Sequence, residues 1–327
     1  MSRSLLFPLL LAPLALTPGA TPAQENPQSP AVTIIRHSAW SDQPPLGVEA
    51  NGIRRNLGEG DSVTFERLTV TLTTSTLGLN EPDRAHLRLQ TSSSIGTRAV
   101  PEGGAFNWSD YHIAIPAIYA EKGELGFPYT VVEIADVNTL PPRVAESTSA
   151  NGAEDRLRVP HTLDKLTLHH SATVLREEDD LAQKLRNMQS WGANARQWWD
   201  LPYHFIIDVD GTVFEGRDYR FVGDTNTQYD PTGHFLINCY GNYNEQEPSP
   251  AQLDAIVNLM AWAAMEYDID PSEIYGHSDL AETECPGDAL EALLHDGTIE
   301  RRVRAVMEKG QPRLRYGDEG GAGAEEK

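Results

Sequence analysis

Basic residues are scarce in this chain. Lys and Arg number 26 against 48 Asp and Glu, for a formal net charge of −22. Phosphate backbones are bound by clustered Lys and Arg, so this balance argues against a nucleic-acid partner. Anionic membrane surfaces are disfavoured for the same reason. Cysteine is scarcer still, with only Cys239 and Cys285. Two cysteines allow at most one disulfide within the chain, and each could instead have a separate role. Long apolar runs are also missing, since nothing approaches the ~20 consecutive apolar residues of a membrane span.

What is present begins with a secretory signal over residues 1–23. Arg3 supplies the positive end, Leu5 to Leu16 a short apolar run broken by Pro8 and Pro13, and Thr21-Pro22-Ala23 a cleavage site before Gln24. No cysteine stands near that site, so a lipid anchor is not expected. The chain is therefore expected to be exported, to the periplasm or beyond.

Residues 24–46 are Pro-rich and polar and read as a linker. From 47 to 140 the pattern is that of strands: Ser62 to Thr74 alternates with one slip between Phe65 and Leu68, and Ala85 to Leu89, Tyr111 to Ile115 and Tyr129 to Ile134 follow. A small all-β, sandwich-like domain is expected there. Residues 141–160, rich in Pro, Ser, Ala and charge, read as a second linker.

Beyond residue 160 strands alternate with helices. Leu163 to His169 reads as a strand and Glu177 to Trp191 as a helix. Asp210-Gly211 marks a hairpin between Tyr203–Val209 and Thr212–Phe214. Phe235 to Tyr240 is a strand, and Pro250 to Tyr267 a helix capped by Ser249. Asp288 to Glu308 is helical with a break at Gly297. The pattern predicts an α/β domain over 161–310 with a mixed central β-sheet flanked by helices. Residues 311–327 read as an acidic, Gly-containing disordered tail.

His169 ends a strand, and His277 is followed eight residues later by Cys285. Two imidazoles and a thiolate are good zinc ligands, and three protein ligands leave a fourth position open, as catalytic sites do. His169 and His170 are adjacent on a strand and face opposite ways, so one of them at most joins such a set.

The motifs then add up in order. Leu168-His169-His170-Ser171-Ala172-Thr173 comes first. Tyr203-His204-Phe205-Ile206-Ile207 follows, with Asp210-Gly211-Thr212-Val213 and Glu215-Gly216-Arg217. Gly241-Asn242-Tyr243-Asn244 precedes Pro250-Ala251-Gln252-Leu253. Gly276-His277-Ser278-Asp279 and Thr283-Glu284-Cys285-Pro286-Gly287 close the series. Together, over about 160–310, they resemble the zinc-dependent N-acetylmuramoyl-L-alanine amidases of the peptidoglycan-recognition-protein and amidase-type phage lysozyme superfamily. The resemblance implies Zn2+ held by His169, His277 and Cys285, with Tyr203 and Thr283 as the catalytic polar groups. It implies hydrolysis of the amide between N-acetylmuramic acid and L-alanine, with peptidoglycan or muropeptides as substrate. Two alternatives stand beside it: a non-catalytic peptidoglycan receptor, and a zinc peptidase acting within the stem peptide. Receptors of this superfamily generally lose a ligand, whereas all three positions are filled here, and the His-Glu-x-x-His peptidase signature is absent.

Three departures from the family pattern are visible. Asn238 stands where cytoplasmic relatives carry a catalytic Glu, Gly223-Asp224-Thr225 lacks a His found in many relatives, and Thr232-Gly233-His234-Phe235 replaces the usual small-residue strand entry. Of Trp191, Trp198 and Trp199, core or rim packing is expected for at least two. His204 is expected to pack away from Tyr203, and Cys239 to be a buried apolar group.

Overall fold

The computed structural model describes residues 30–119, 129–150, 152–176, 179–317 and 325–326. The expected signal segment therefore lies outside the described residues. In chain order the elements are β1 (Ala31–Ile35), α1 (His37–Trp40), β2 (Val48–Glu49), β3 (Gly52–Gly58), β4 (Ser62–Phe65), β5 (Leu68–Thr76), β6 (Arg84–Gln90), β7 (Ile95–Pro101), β8 (Gly104–Trp108), β9 (Tyr111–Tyr119) and β10 (Tyr129–Asp136). After these come α2 (Pro142–Ala145), β11 (Leu157–Arg158), β12 (Lys165–His170), α3 (Leu181–Trp191), β13 (Phe205–Ile207), β14 (Val213–Glu215) and β15 (His234–Cys239). The last are α4 (Pro250–Tyr267), β16 (Ile274–Gly276), α5 (Asp288–His295), α6 (Thr298–Met307), β17 (Arg313–Gly317) and β18 (Glu325–Glu326).

The N-terminal module is a sandwich of two four-stranded antiparallel sheets, ordered β3-β10-β9-β8 and β4-β5-β6-β7. Alternate residues of both sheets, among them Leu68, Leu72, Leu87, Leu89, Ile113 and Ile134, meet in one core. The slip in the alternation at 65–68 is a two-residue hairpin turn, with Phe65 paired to Leu68 and Glu66 at φ 51°. Phe65 and Leu68 both point inward, which one uninterrupted strand does not allow at that spacing.

The second module is built on a mixed sheet ordered β16-β12-β15-β13-β14-β1-β17-β18. Strand β12 runs parallel to both β15 and β16, while β13 and β14 form the antiparallel hairpin. One face packs Leu166, Leu168, Phe235 and Ile237 against α4, α5 and α6. The other carries Ile206 and Phe214 against α1 and α3. Helix α4 begins in a capping box in which Ser249 and Gln252 bond reciprocally. Gly297, at φ 74°, separates α5 from α6 as expected, in a left-handed conformation that glycine accepts without steric cost. Helix α3 starts at Leu181, capped by Asp180; residues 177 and 178 lie outside the described residues.

Three boundary readings need correction. Residues 24–46 are not all linker, because Ala31–Ile35 runs between β14 and β17 in the second sheet and buries Val32 and Ile34. A five-residue apolar run beside Pro-rich sequence carries too little periodicity to reveal this. Residues 141–160 are packed rather than free: Val144, Leu157 and Val159 join Ala50, Ala135 and Leu140 in a small core of their own, and β11 pairs with β2. The expected disordered tail also starts too early, since Arg313–Gly317 is a strand with Leu314 and Tyr316 buried; residues 318–324 and 327 lie outside the described residues.

A buried ion network joins the modules. Arg54 of β3 lies 2.7 Å from Asp224, and Arg217 lies 2.6 Å from the same carboxylate. Glu133 of β10 pairs with Arg156 at 2.8 Å and approaches Arg54 at 3.9 Å. All five side chains are at most 5% exposed, so each charge depends on its partners for stabilisation.

Candidate metal centre

The centre lies where β12, β15 and β16 end at their C-terminal edges, the usual place for a site in an α/β sheet. His169 is the penultimate residue of β12, His277 follows β16 directly, and Cys285 stands in the loop before α5. The structure brings these three together. His169 Nδ1 is 3.2 Å from His277 Nδ1 and 3.7 Å from Cys285 Sγ, and all three ligand atoms lie within 4.8 Å of one another. Tetrahedral zinc with Zn–N of ~2.05 Å and Zn–S of ~2.3 Å separates N from N by about 3.3 Å and N from S by about 3.6 Å. The set fits that ion.

Electrostatics point the same way. Burial, reinforced by His277, pushes the His169 imidazole well below its ordinary value, and burial pushes His277 down to about 4. Both rings are neutral at pH 7 and have lone pairs to give. Burial drives the Cys285 thiol up to about 12, partly opposed by the His170 backbone N–H, which donates to Sγ at 3.2 Å. Only a strong local cation would make a thiolate there, and a metal ion supplies one.

The outer nitrogens of both rings are also occupied. His277 Nε2 lies 2.6 Å from the Thr227 hydroxyl, and His169 Nε2 lies 3.2 Å from the Tyr229 hydroxyl. With Nε2–H donating outward, each Nδ1 presents its lone pair inward, and that defines which tautomer a metal meets. In that tautomer two lone pairs face each other at 3.2 Å, an arrangement that a cation between them would relieve. Thr227 and Tyr229 were not legible in the sequence, because nothing in an irregular loop marks a residue that supports a ligand from behind.

His170 faces the opposite side of the sheet, where its ring packs against Tyr243. The Tyr203 ring centroid stands 5.1 Å from that of His169. Burial raises the Tyr203 hydroxyl above its ordinary range, so at neutral pH it is a donor. Thr283 lines the same cavity of about 360 Å³ and accepts a bond from the Cys285 N–H at 3.2 Å. Asn238, fully buried opposite His169 on β15, lies beside the Tyr203 hydroxyl, and its amide atoms have no well-formed hydrogen bond.

Among the other candidates, Trp198 and Trp199 are buried while Trp191 is 48% exposed. His204 is buried in a backbone network, donating to Phe221 O and accepting from Leu236 N. Cys239 is buried with its Sγ on the Tyr243 hydroxyl, and both cysteines are free, so the disulfide reading falls. Among the described residues no helix is long and apolar enough to cross a membrane.

Comparison with known proteins places the chain in a family. A family model described as N-acetylmuramoyl-L-alanine amidase matches residues 160–288. Peptidoglycan recognition protein 1 of Bos indicus is 30% identical over 156 residues, covering 47% of this chain and 81% of that protein. The chain belongs to the N-acetylmuramoyl-L-alanine amidase and peptidoglycan-recognition-protein superfamily. The N-acetylmuramoyl-L-alanine amidase of Sus scrofa is 28% identical over 252 residues, 74% of this chain and 38% of that protein. That match is longer than the stretch C-terminal to residue 160, so it reaches into the β sandwich. The chain thus spans little more than a third of this longer amidase. Among solved structures, wild-type Drosophila PGRP-LB is 28% identical, with 43% of this chain and 88% of that one covered at a TM-score of 0.37.

Proposed function

We propose that this chain is an exported, zinc-dependent N-acetylmuramoyl-L-alanine amidase that cuts the lactyl–alanine amide of peptidoglycan or its muropeptides. The observation that carries this reading is the complete set of converging ligand atoms, His169, His277 and Cys285, with the Tyr203 ring against it. Zinc in such a site supplies Lewis-acid polarisation of the scissile carbonyl and lowers the pKa of water from ~15.7 towards ~7. Tyr203, held protonated by burial, donates to the carbonyl oxygen as charge builds there. The Thr283 oxygen accepts from Cys285 N–H, which leaves its own proton free to donate into the cavity. Asp224 also lines the cavity, but it is a weak base: burial would raise its pKa, and Arg217 and Arg54 outweigh that and hold it below the ordinary carboxylate value.

Digestion of purified wall material, followed by mass analysis, tests the reading. The expected products are peptides with new L-alanine amino termini and glycan strands without new reducing ends. Binding without products identifies a receptor, and new amino groups on other stem residues identify a peptidase; either result overturns the proposal.

A further inference from the structure

Strand β3 of the sandwich lies against the loop 223–232, and that loop reaches the metal ligands. Arg54 donates to the Gly223 carbonyl and to the Asp224 carboxylate. Asn56 donates its amide N–H to the Tyr229 carbonyl at 2.9 Å. Thr232 donates to the Arg54 carbonyl at 3.0 Å, and Arg55 pairs with Asp230 at 3.7 Å. The β strand thus grips the loop along its length. Between those grips, the same loop presents Thr227 to His277 Nε2 and Tyr229 to His169 Nε2.

We propose that the β sandwich is a working part of the metal centre, with Arg54 and Asn56 as positioning residues that hold Thr227 and Tyr229 behind the two ligand histidines. The proposal rests on the zinc reading above. Loop segments are held by few contacts of their own, and their geometry follows whatever they pack against. Here that support is a separate module, so ligand geometry in one module is set by a strand of the other. Groups behind metal ligands typically change metal affinity 10–100-fold when removed, because they fix ring orientation and tautomer.

The test measures zinc affinity of the full chain by chelator competition, alongside thermal stability of the metal-free protein. Thr227→Val and Tyr229→Phe remove one hydroxyl each and should weaken zinc by about 10–100-fold. Arg54→Met leaves Asp224 with Arg217 and Glu133 with Arg156, so the remaining charges stay paired. It should weaken zinc over a similar range. Asn56→Ala is the milder variant and decides the matter if Arg54→Met does not fold. Its effect on zinc affinity should largely vanish in a Tyr229→Phe background, because both act through the same hydroxyl. Wild-type zinc affinity in Asn56→Ala and in any folded Arg54→Met, whatever their stability, overturns the proposal. Failure of the wild-type chain to bind zinc would instead overturn the zinc reading on which it rests.

Discussion

The Thr227 hydroxyl and His277 Nε2 lie 2.6 Å apart, a contact between an irregular loop and a buried imidazole fifty residues later in the chain. It leaves the inner nitrogen of that ring with one task, which is to face His169 and Cys285. Consequences of this arrangement are open to measurement.

Protein purified without added metal should contain one zinc per chain by elemental analysis. Cys285→Ala should lose both metal and hydrolysis of wall material. Cys239→Ala should keep both, since that thiol is buried against Tyr243 and far from the ligand set in role. Equal behaviour of the two variants would remove Cys285 from the site.

Tyr203→Phe deletes one hydroxyl with little change in volume. If that hydroxyl stabilises developing charge, kcat should fall by about 10²–10³ at unchanged zinc content. Steady-state kinetics on a soluble muropeptide, paired with metal analysis, separates this from a loss of metal.

A fragment beginning near residue 151 lacks β1 and α1. Val32, Ile34 and Trp40 are buried at 5%, 0% and 2% exposure, and each such side chain contributes about 1.5–3 kcal/mol. Their combined loss approaches the whole stability of an ordinary domain, about 5–15 kcal/mol. Strands β14 and β17 would also be left without the strand that joins them. The fragment should be insoluble or fail to show a cooperative unfolding transition by circular dichroism, whereas the full chain unfolds cooperatively.

His161 and His204 make an acid-sensitive pair outside the ligand set. Each ring is fully used in its neutral form, donating from Nε2 to a backbone carbonyl and accepting at Nδ1 from a backbone N–H. Burial pushes His161 down to about 4 and His204 well below its ordinary 6.5. Above pH 6.5 both folded and unfolded chains carry these rings neutral, and stability does not depend on them. Between 6.5 and about 4 the unfolded chain takes up protons that the folded chain refuses, so stability falls as pH falls. Urea titrations of the metal-free protein at pH 7.5 and 5 should show this loss, and His161→Gln should make it shallower. A pH-independent midpoint in the wild type would contradict the assignment.

Much of the second module was legible because its elements are long, periodic and capped. Helix α4 starts at Pro250 behind Ser249 and ends at Tyr267, as its pattern predicts. The convergence of His169, His277 and Cys285 was legible through ordered motifs, which tie together residues that spacing alone cannot. What escaped were features set by tertiary pairing. Strand β1 is five residues long and gains its structure from neighbours about 180 and about 280 residues away. The β4–β5 turn uses Glu66 and Arg67 rather than Gly or Asn, so only the slip in alternation hinted at it. The grip of Arg54 and Asn56 on the loop follows from how two modules dock, and no local pattern encodes that.

The pairing of β1 with β17 also bears on the order in which this chain acquires structure. Ile34 sits in register with Val213 on one side and Tyr316 on the other. Residues 47–160, the sandwich and its packed trailing segment, lie between β1 and the rest of its sheet. Contacts so distant along the chain form late, because a very long loop must close before they contribute any stability. The sandwich, whose strands pair mostly with near neighbours, has no such delay. A vectorially emerging chain would therefore complete the sandwich first, carry β1 unpaired until β14 arrives, and leave its other edge open until residues 313–317 follow. During that interval β1 is the part of the molecule most in need of shielding from other chains.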